Sequence, residues 1–173
     1  IRAAIFHGTL IQLLNELNNY PDWRSIYGKE SQRLKDRELI LRFIALFNQS
    51  QNYVRPISEF LNRYNKTNKN PSSEYCNATA NIFKETISMF FKSLGAGAFR
   101  PERALNAAVF DSNMVGLAMR ISSGKPISTY QVATAYNTLL GDDEYKKIVS
   151  ESTSDTERVK NRIALAIDCY ISV

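Results

Sequence analysis

The sequence predicts an all-α fold, an irregular multi-helix bundle. Apolar residues recur at steps of three and four along nearly the whole chain. No segment shows the sustained alternation of β-branched and aromatic residues that marks a half-buried strand. With 173 residues the chain has the length of one domain, so we expect a single helical domain over 1–173. A hinge is expected at 66–73, where the sequence KTNKNPSS is rich in turn-forming residues.

The apolar spacing predicts ten helices. They are expected over residues 1–6, 9–19, 36–49, 57–66, 73–94, 101–109, 112–122, 128–140, 142–150 and 155–171. Pro21 and Pro56 mark breaks between them. The long helix at 73–94 and the last helix each carry one broad apolar face, and we expect these two faces to pack together or against a shared neighbour.

The segment 33–47 places charges in front of an almost wholly apolar helix. Its apolar residues cover nearly the whole circumference, so we expect a central helix surrounded by others. Arg42 interrupts this run, and a buried guanidinium needs a carboxylate because it cannot lose its charge. We expect Arg42 to pair with Glu38, one turn earlier, or with another carboxylate of the bundle. Asp36 is placed to cap the helix, and with Arg33 these residues form an expected structural ion network, or else an interface with an upstream domain.

A family resemblance runs through the same segment. In order, the chain contains IRAAIFHGTLIQLLNEL, the segment 23–28, RLKDRELILRF, Tyr53 with ISEFLNRY, FRPERALNAAVFD and TERVKNRI. This series resembles the helical part of the GmrSD-type restriction endonuclease N-terminal domain family. In that family an upstream ParB/sulfiredoxin-like domain carries a DGQQR nucleotidase motif, and the proteins defend bacteria against foreign or modified DNA.

The DGQQR motif does not occur in this chain, so the family's chemistry falls on none of its residues. The resemblance therefore implies a non-catalytic helical scaffold that supports an upstream nucleotidase domain and contacts DNA or nucleotide. A free-standing helical DNA-binding module and a helical protein-interaction domain are the alternatives.

The amino-terminal residues predict a neighbour that covers them. The chain begins with Ile1 rather than Met, and no capping residue precedes the helix expected at 1–6. Ile1 and Ile5 lie one turn apart, and with Phe6 we expect them to form an apolar domain interface. The chain is thus expected to be the carboxyl-terminal part of a larger protein.

The charge balance permits an anionic partner. The formal net charge is +5, with the basic residues spread along the chain, which is compatible with DNA contact and equally with solvated helix faces. One group with interleaved phenylalanines is a candidate for phosphate binding: Arg100, Arg103, Arg120 and Lys125. No signal-peptide pattern or apolar run of about 20 residues occurs, and the two cysteines have no paired spacing, so we expect a cytoplasmic protein without membrane contact.

The residue types present argue against catalysis. His7 is the single histidine, which is too few for an HNH-type nuclease or a histidine-rich metal site. The acids at 142–144 follow Gly141 and are expected to begin a helix rather than to hold a metal ion. Gly95 is expected to end a helix, because no Gly-Lys-Ser/Thr sequence follows to make a phosphate loop. We therefore expect no catalytic residue, no metal and no cofactor in this chain.

Overall fold

A computed structural model describes residues 8–173, and every regular element in that range is helical. The α-helices of this range are α1 (Thr9–Asn18), α2 (Pro21–Tyr27), α3 (Lys35–Gln49), α4 (Ile57–Thr67), α5 (Ser73–Leu94), α6 (Ala107–Ser122), α7 (Thr129–Gly141), α8 (Asp143–Ser150) and α9 (Thr156–Ser172). Short 3-10 helices follow α3 and α5. Among these helices we find none that combines the length and the apolar character needed to cross a membrane. The predicted all-α fold is confirmed.

Seven predicted helices agree with the structure to within one residue at each end. These are the helices expected at 9–19, 36–49, 57–66, 73–94, 128–140, 142–150 and 155–171. The helix expected at 1–6, the interface expected at Ile1, Ile5 and Phe6, and His7 lie outside the described residues.

Helix α2 is an element that the sequence interpretation missed, because Pro21 was taken as a break. Pro21 instead occupies the first turn of the helix, where a missing amide proton costs nothing. Trp23 and Ile26 are buried from this helix, and Gly28 ends it with φ 96°. The helix contacts the amino-terminal part of α6 through the rings of Trp23 and Phe110.

Helix α6 was wrongly predicted as two helices. Residues 101–106 form a loop, and one helix then runs from Ala107 to Ser122 after Asn106 accepts hydrogen bonds from the amides of Ala108 and Val109. Every residue from 108 to 118 is buried, including the polar run at 111–113, and the break expected at 110–111 lies inside the helix. The central helix is therefore α6. Helix α3, which was expected to be central, leaves Leu41, Arg42 and Phe47 in part accessible to solvent at its side.

The buried polar run of α6 is satisfied by side chains from two neighbouring helices. Ser112 Oγ lies 2.7 Å from the hydroxyl of Tyr145, and the Asn113 amide donates to the same hydroxyl over 2.9 Å. The hydroxyl of Tyr170 donates to Asn113 Oδ1 at 2.8 Å. Polar groups can occupy this core because each finds a partner.

Helices α6 and α9 make the most extensive helix–helix contact of the described residues. Gly116 allows it, since a Cβ atom at this position would lie 2.8 Å from the backbone carbon of Ala166 and 2.8 Å from the ring of Tyr170. On the other side of Tyr170, the ring of Phe90 stands perpendicular to it at 6.1 Å. The apolar faces of α5 and α9 therefore meet each other and share α6, as the sequence predicted.

The loop between α4 and α5 holds the start of α1. The carbonyl of Lys69 accepts from the amide of Leu10 at 3.2 Å, and Asn70 Oδ1 accepts from the amide of Thr9 at 3.2 Å. Gly8 has φ 141°, and a Cβ atom there would lie 2.5 Å from the Lys69 carbonyl. The hinge expected at 66–73 stays a prediction; in this structure its loop caps a helix.

Gly116→Ala should destabilise the fold by about 1–3 kcal/mol, because the added methyl group meets the backbone of α9 and overpacking costs energy of this order. Gly141→Ala is the matched control, since no atom lies within 4 Å of its added Cβ atom. Urea unfolding of both variants checks this. Equal midpoints for the two variants would contradict a tight contact between α6 and α9 at Gly116.

Candidate functional site

A buried carboxylate, Asp111, lies at the centre of the fold between three helices. Arg42 of α3 donates Nε to Asp111 Oδ1 at 3.0 Å and Nη2 to Oδ2, which is a two-point contact. Arg162 of α9 donates Nη2 to Oδ2 at 3.1 Å. Asp111 and Arg162 are fully buried, whereas the Arg42 side chain keeps 14% of its surface exposed. The expectation that Arg42 is nearly buried and paired with a carboxylate of the bundle is confirmed.

The same cluster fixes the segment 150–155 that precedes α9. Arg162 donates Nη1 to the carbonyl of Thr153 at 2.6 Å, and the buried Tyr53 hydroxyl donates to the carbonyl of Ser154 at 2.7 Å. Asp155 then accepts from the amides of Glu157 and Arg158 and caps α9. The guanidinium group of Arg162 and the hydroxyl of Tyr53 thus both hold the backbone of this segment by hydrogen bonds.

Two guanidinium groups around one carboxylate leave an excess of positive charge. Burial alone would lower the pKa of Arg42, but attraction to Asp111 outweighs it and raises that pKa above its ordinary value. Burial lowers the pKa of Arg162, and repulsion from Arg42 adds to this effect against the pull of Asp111. Glu38 also attracts Arg42. Negative charge near Arg42 is therefore favourable.

Asp36, also in α3, belongs to a separate cluster. Asp36 is fully buried and accepts from Arg24 Nη1 at 3.1 Å and from the amides of Ser31 and Arg37 at 3.1 and 3.0 Å. Burial alone would raise the pKa of Asp36, yet these backbone hydrogen bonds, with Asn18 and Arg24, lower it below the ordinary value. Leu34 occupies the cap position, so the expectation that Asp36 itself caps the helix is wrong.

The expected ion network of Arg33, Asp36, Glu38 and Arg42 is thus divided. Asp36 joins Arg24, and Arg42 joins Asp111 with an electrostatic contribution from Glu38. Arg33 is exposed, and its side chain makes no ion pair within residues 8–173.

An open cavity of about 550 Å³ adjoins the exposed side of Arg42. It lies between the end of α2, the first two turns of α3, the loop 101–106 and the start of α6. The residues lining it are Tyr27, Lys35, Glu38, Leu39, Arg42, Arg100, Leu105 and Ala107. Its volume falls in the range of about 300–1,000 Å³ that is common for small-ligand sites.

The cavity wall is basic. Of its lining residues in the described range 8–173, three carry positive charge, namely Lys35, Arg42 and Arg100, against one carboxylate, Glu38. Arg100 is held in place by the carbonyls of Ala96 at 3.0 Å and Tyr27 at 3.4 Å. Lys35 Nζ forms no hydrogen bond or ion pair within residues 8–173, so its charge is available to a ligand.

The four residues expected to bind phosphate occupy two ends of the fold. Arg100 lines the cavity, and Arg103 is exposed in the adjoining loop 101–106. Arg120 is buried in the last turn of α6, where it donates to the carbonyls of Ile171, Pro126 and Val173. With a rise of about 1.5 Å per residue, Arg120 lies about 20 Å along α6 from Ala107. Lys125 is exposed beyond that end, so the four residues form no single patch.

Two motifs have the structural roles that the sequence predicted. Asp142 begins α8 by accepting from the amide of Tyr145 at 2.7 Å, and Asp143 pairs with Lys146. Gly95 ends α5 with φ 64°. Among residues 8–173 no group of three histidine, cysteine, aspartate or glutamate side chains is arranged to hold a metal ion.

Sequence reasoning missed Asp111, Arg162 and Lys35 as members of the site. A signal did exist for Asp111 and Arg162, since each stands within an apolar helical pattern, as Arg42 does. Their mutual pairing spans 51 residues, and no local spacing predicts it.

Comparisons with models of known protein families, with curated proteins and with solved structures yield no match to this chain.

Asp111→Asn should destabilise the protein by about 3–5 kcal/mol, because the substitution leaves two guanidinium groups without a compensating charge. Asp143→Asn, which removes an exposed carboxylate, is the control and should cost far less. Urea unfolding measures both. A loss for Asp111→Asn no larger than that for Asp143→Asn would contradict a stabilising role of the central carboxylate.

The Asp36 cluster should contribute stability that is lost in acid. The folded pKa of Asp36 lies below the ordinary 3.8, so its contribution is present above that pH and disappears as the pH falls through the folded value. The stability difference between the parent and Asp36→Asn should therefore shrink between about pH 6 and about pH 3. Urea titrations at both pH values test this, and a difference that grows in acid would reverse the sign we infer.

Proposed function

We propose that this chain is the non-catalytic helical part of a cytoplasmic bacterial defence protein of the GmrSD type. It supports a nucleotidase domain upstream and contacts DNA or nucleotide through its basic cavity. The ordered series of motifs supports the family context. The observation that carries the binding role is the cavity wall, where the lining residues Lys35, Arg42 and Arg100 outnumber the one lining carboxylate of the described residues, Glu38.

The central ion cluster supports a scaffold role. Arg42, Asp111 and Arg162 come from three different helices. Most of their hydrogen bonds are made with one another and with the loop 150–155. Groups that are engaged in this way fix the positions of helices rather than perform proton transfer. A rigid core of this kind holds the cavity in a constant shape for an anionic partner.

A free-standing DNA-binding module is the second candidate, and the observation that favours it is the exposed charge beside the cavity. Lys35 and Arg103 are both exposed; Lys35 lines the cavity, and Arg103 lies in the loop 101–106 that contributes Leu105 to its wall. Phosphate contacts by such residues would release counterions, so binding by this module would fall steeply with salt.

The coding sequence upstream of Ile1 tests the scaffold proposal directly. A segment with the DGQQR motif is expected there, and the longer protein should hydrolyse nucleotides while the 173-residue chain hydrolyses neither nucleotides nor DNA. An unrelated upstream domain, or turnover by this chain that a point substitution in it abolishes, would overturn the proposal.

Duplex DNA should bind the isolated chain weakly, with an affinity that falls as salt rises from about 50 to about 200 mM. Arg103→Glu should weaken this binding, whereas Lys125→Glu, at the far end of α6, should leave it nearly unchanged. Fluorescence anisotropy with a labelled duplex measures each. Tight binding to one DNA sequence would instead favour the free-standing module, and equal effects of both substitutions would remove the cavity face from the contact.

A further inference from the structure

We propose that the cavity is a binding site for a small phosphomonoester, a phosphate group attached to a compact apolar or aromatic body. Arg42 and Lys35 bind the phosphate, and the apolar part of the wall receives the body. This inference names a ligand class for the cavity of the proposed function. It rests on that function only where the function involves a nucleotide. The site itself follows from the positions of these side chains.

Arg42 has one end of its guanidinium group left for a ligand. Its Nε and Nη2 atoms donate to Asp111, and Nη1 makes no hydrogen bond within residues 8–173. Arg42 lines the cavity with 14% of its side chain exposed, and its Nη1 is not among the buried nitrogen atoms of residues 8–173 that lack a partner, so this end can reach the open volume. Asp111 thus orients the guanidinium group in advance, which lowers the entropy lost when a ligand binds.

The charge of the wall matches a phosphate dianion. Among the described residues that line the wall, three cations and one carboxylate leave a balance of two positive charges, while Asp111 and Arg162 behind the wall cancel each other. Lys35 contributes a mobile point charge, and Arg42 contributes a fixed planar donor. A carboxylate ligand carries one negative charge and would neutralise only half of this excess.

The remaining wall is suited to an organic body rather than to a bare ion. Tyr27, Leu39, Leu105 and Ala107 line the same volume. A free phosphate ion would leave most of the 550 Å³ unfilled. A ring or a short apolar group attached to the phosphate would cover this apolar surface, and its burial would add to the affinity.

The test is a titration of the 173-residue chain with three probes at constant ionic strength, followed by NMR of the backbone amides and of the Arg42 guanidinium group. The probes are phenyl phosphate, inorganic phosphate and benzoate. We expect saturable shifts at Leu39, Leu105 and Ala107 with phenyl phosphate, weaker binding at the same positions with inorganic phosphate, and the weakest with benzoate. Stronger binding of benzoate than of phenyl phosphate would overturn the assignment of a phosphate ligand.

Charge substitutions provide the second arm. Lys35→Gln should weaken phenyl phosphate binding about tenfold, the loss of one charge-assisted hydrogen bond. Lys125→Gln, which removes an equal charge from the other end of α6, should change it little. Glu38→Gln should strengthen binding, because it removes the negative charge of the wall. Circular dichroism confirms that each variant is folded.

The outcomes separate this inference from the proposed function. Equal losses for Lys35→Gln and Lys125→Gln, or shifts that rise linearly and spread over the surface, would mean general attraction to a basic protein and would overturn the site. Saturable phenyl phosphate binding without DNA binding and without a DGQQR segment upstream would support the site and reject the defence role. DNA binding with no saturable phenyl phosphate shift would reject the site and support the defence role.

Discussion

The carboxylate of Asp111 is the charge on which the arrangement of the core depends. It sits in the most enclosed helix, α6, and accepts hydrogen bonds from an arginine of α3 and an arginine of α9. These two helices both pack on α6, so a single carboxylate joins the elements on its two sides. Because buried charges are costly unless they are paired, a displacement of either helix would leave a guanidinium group or the carboxylate unpaired. The cluster therefore specifies the register of three helices together.

The cavity depends on this cluster for the position of one of its charges, that of Arg42. Arg42 belongs to both, since its guanidinium group binds Asp111 and the residue also lines the open volume. Its charge stays fixed in position because α3 cannot turn without breaking the two-point contact. Arg100 is likewise tied to backbone carbonyls at the ends of α2 and α5. Lys35 is then the lining cation that has no hydrogen bond or ion pair within residues 8–173.

Helical spacing in the sequence predicted most of the fold but mistook two features. Pro21 and residues 110–111 were both read as interruptions, whereas the first begins α2 and the second lie inside α6. Pro21 was misread because a proline also fits the first turn of a helix, where no amide proton is needed. The break in α6 was misread because local pattern does not reveal which polar groups find partners in the folded protein. Asn113 is acceptable in the core only because Tyr145 and Tyr170 reach it from distant parts of the chain.

For the site, the sequence predicted that Arg42 needed a buried carboxylate but pointed to the nearest one. Glu38 is one turn away, while the actual hydrogen-bonding partner is 69 residues away. The phosphate-binding group was likewise chosen by closeness in sequence, and α6 separates its members by about 20 Å. Arg100 alone of the four lines the cavity. The spacing of residues along the sequence does not show which side chains meet through tertiary packing.

Native-state hydrogen exchange tests the central claim, that the Asp111 cluster joins α3, α6 and α9 into one cooperative unit. The account predicts that the most protected amides of these three helices exchange with the same free energy, equal to that of global unfolding. If the amides of α3 exchanged through a separate opening of lower free energy while α6 and α9 stayed protected, the link between Arg42 and Asp111 would not hold α3 in place.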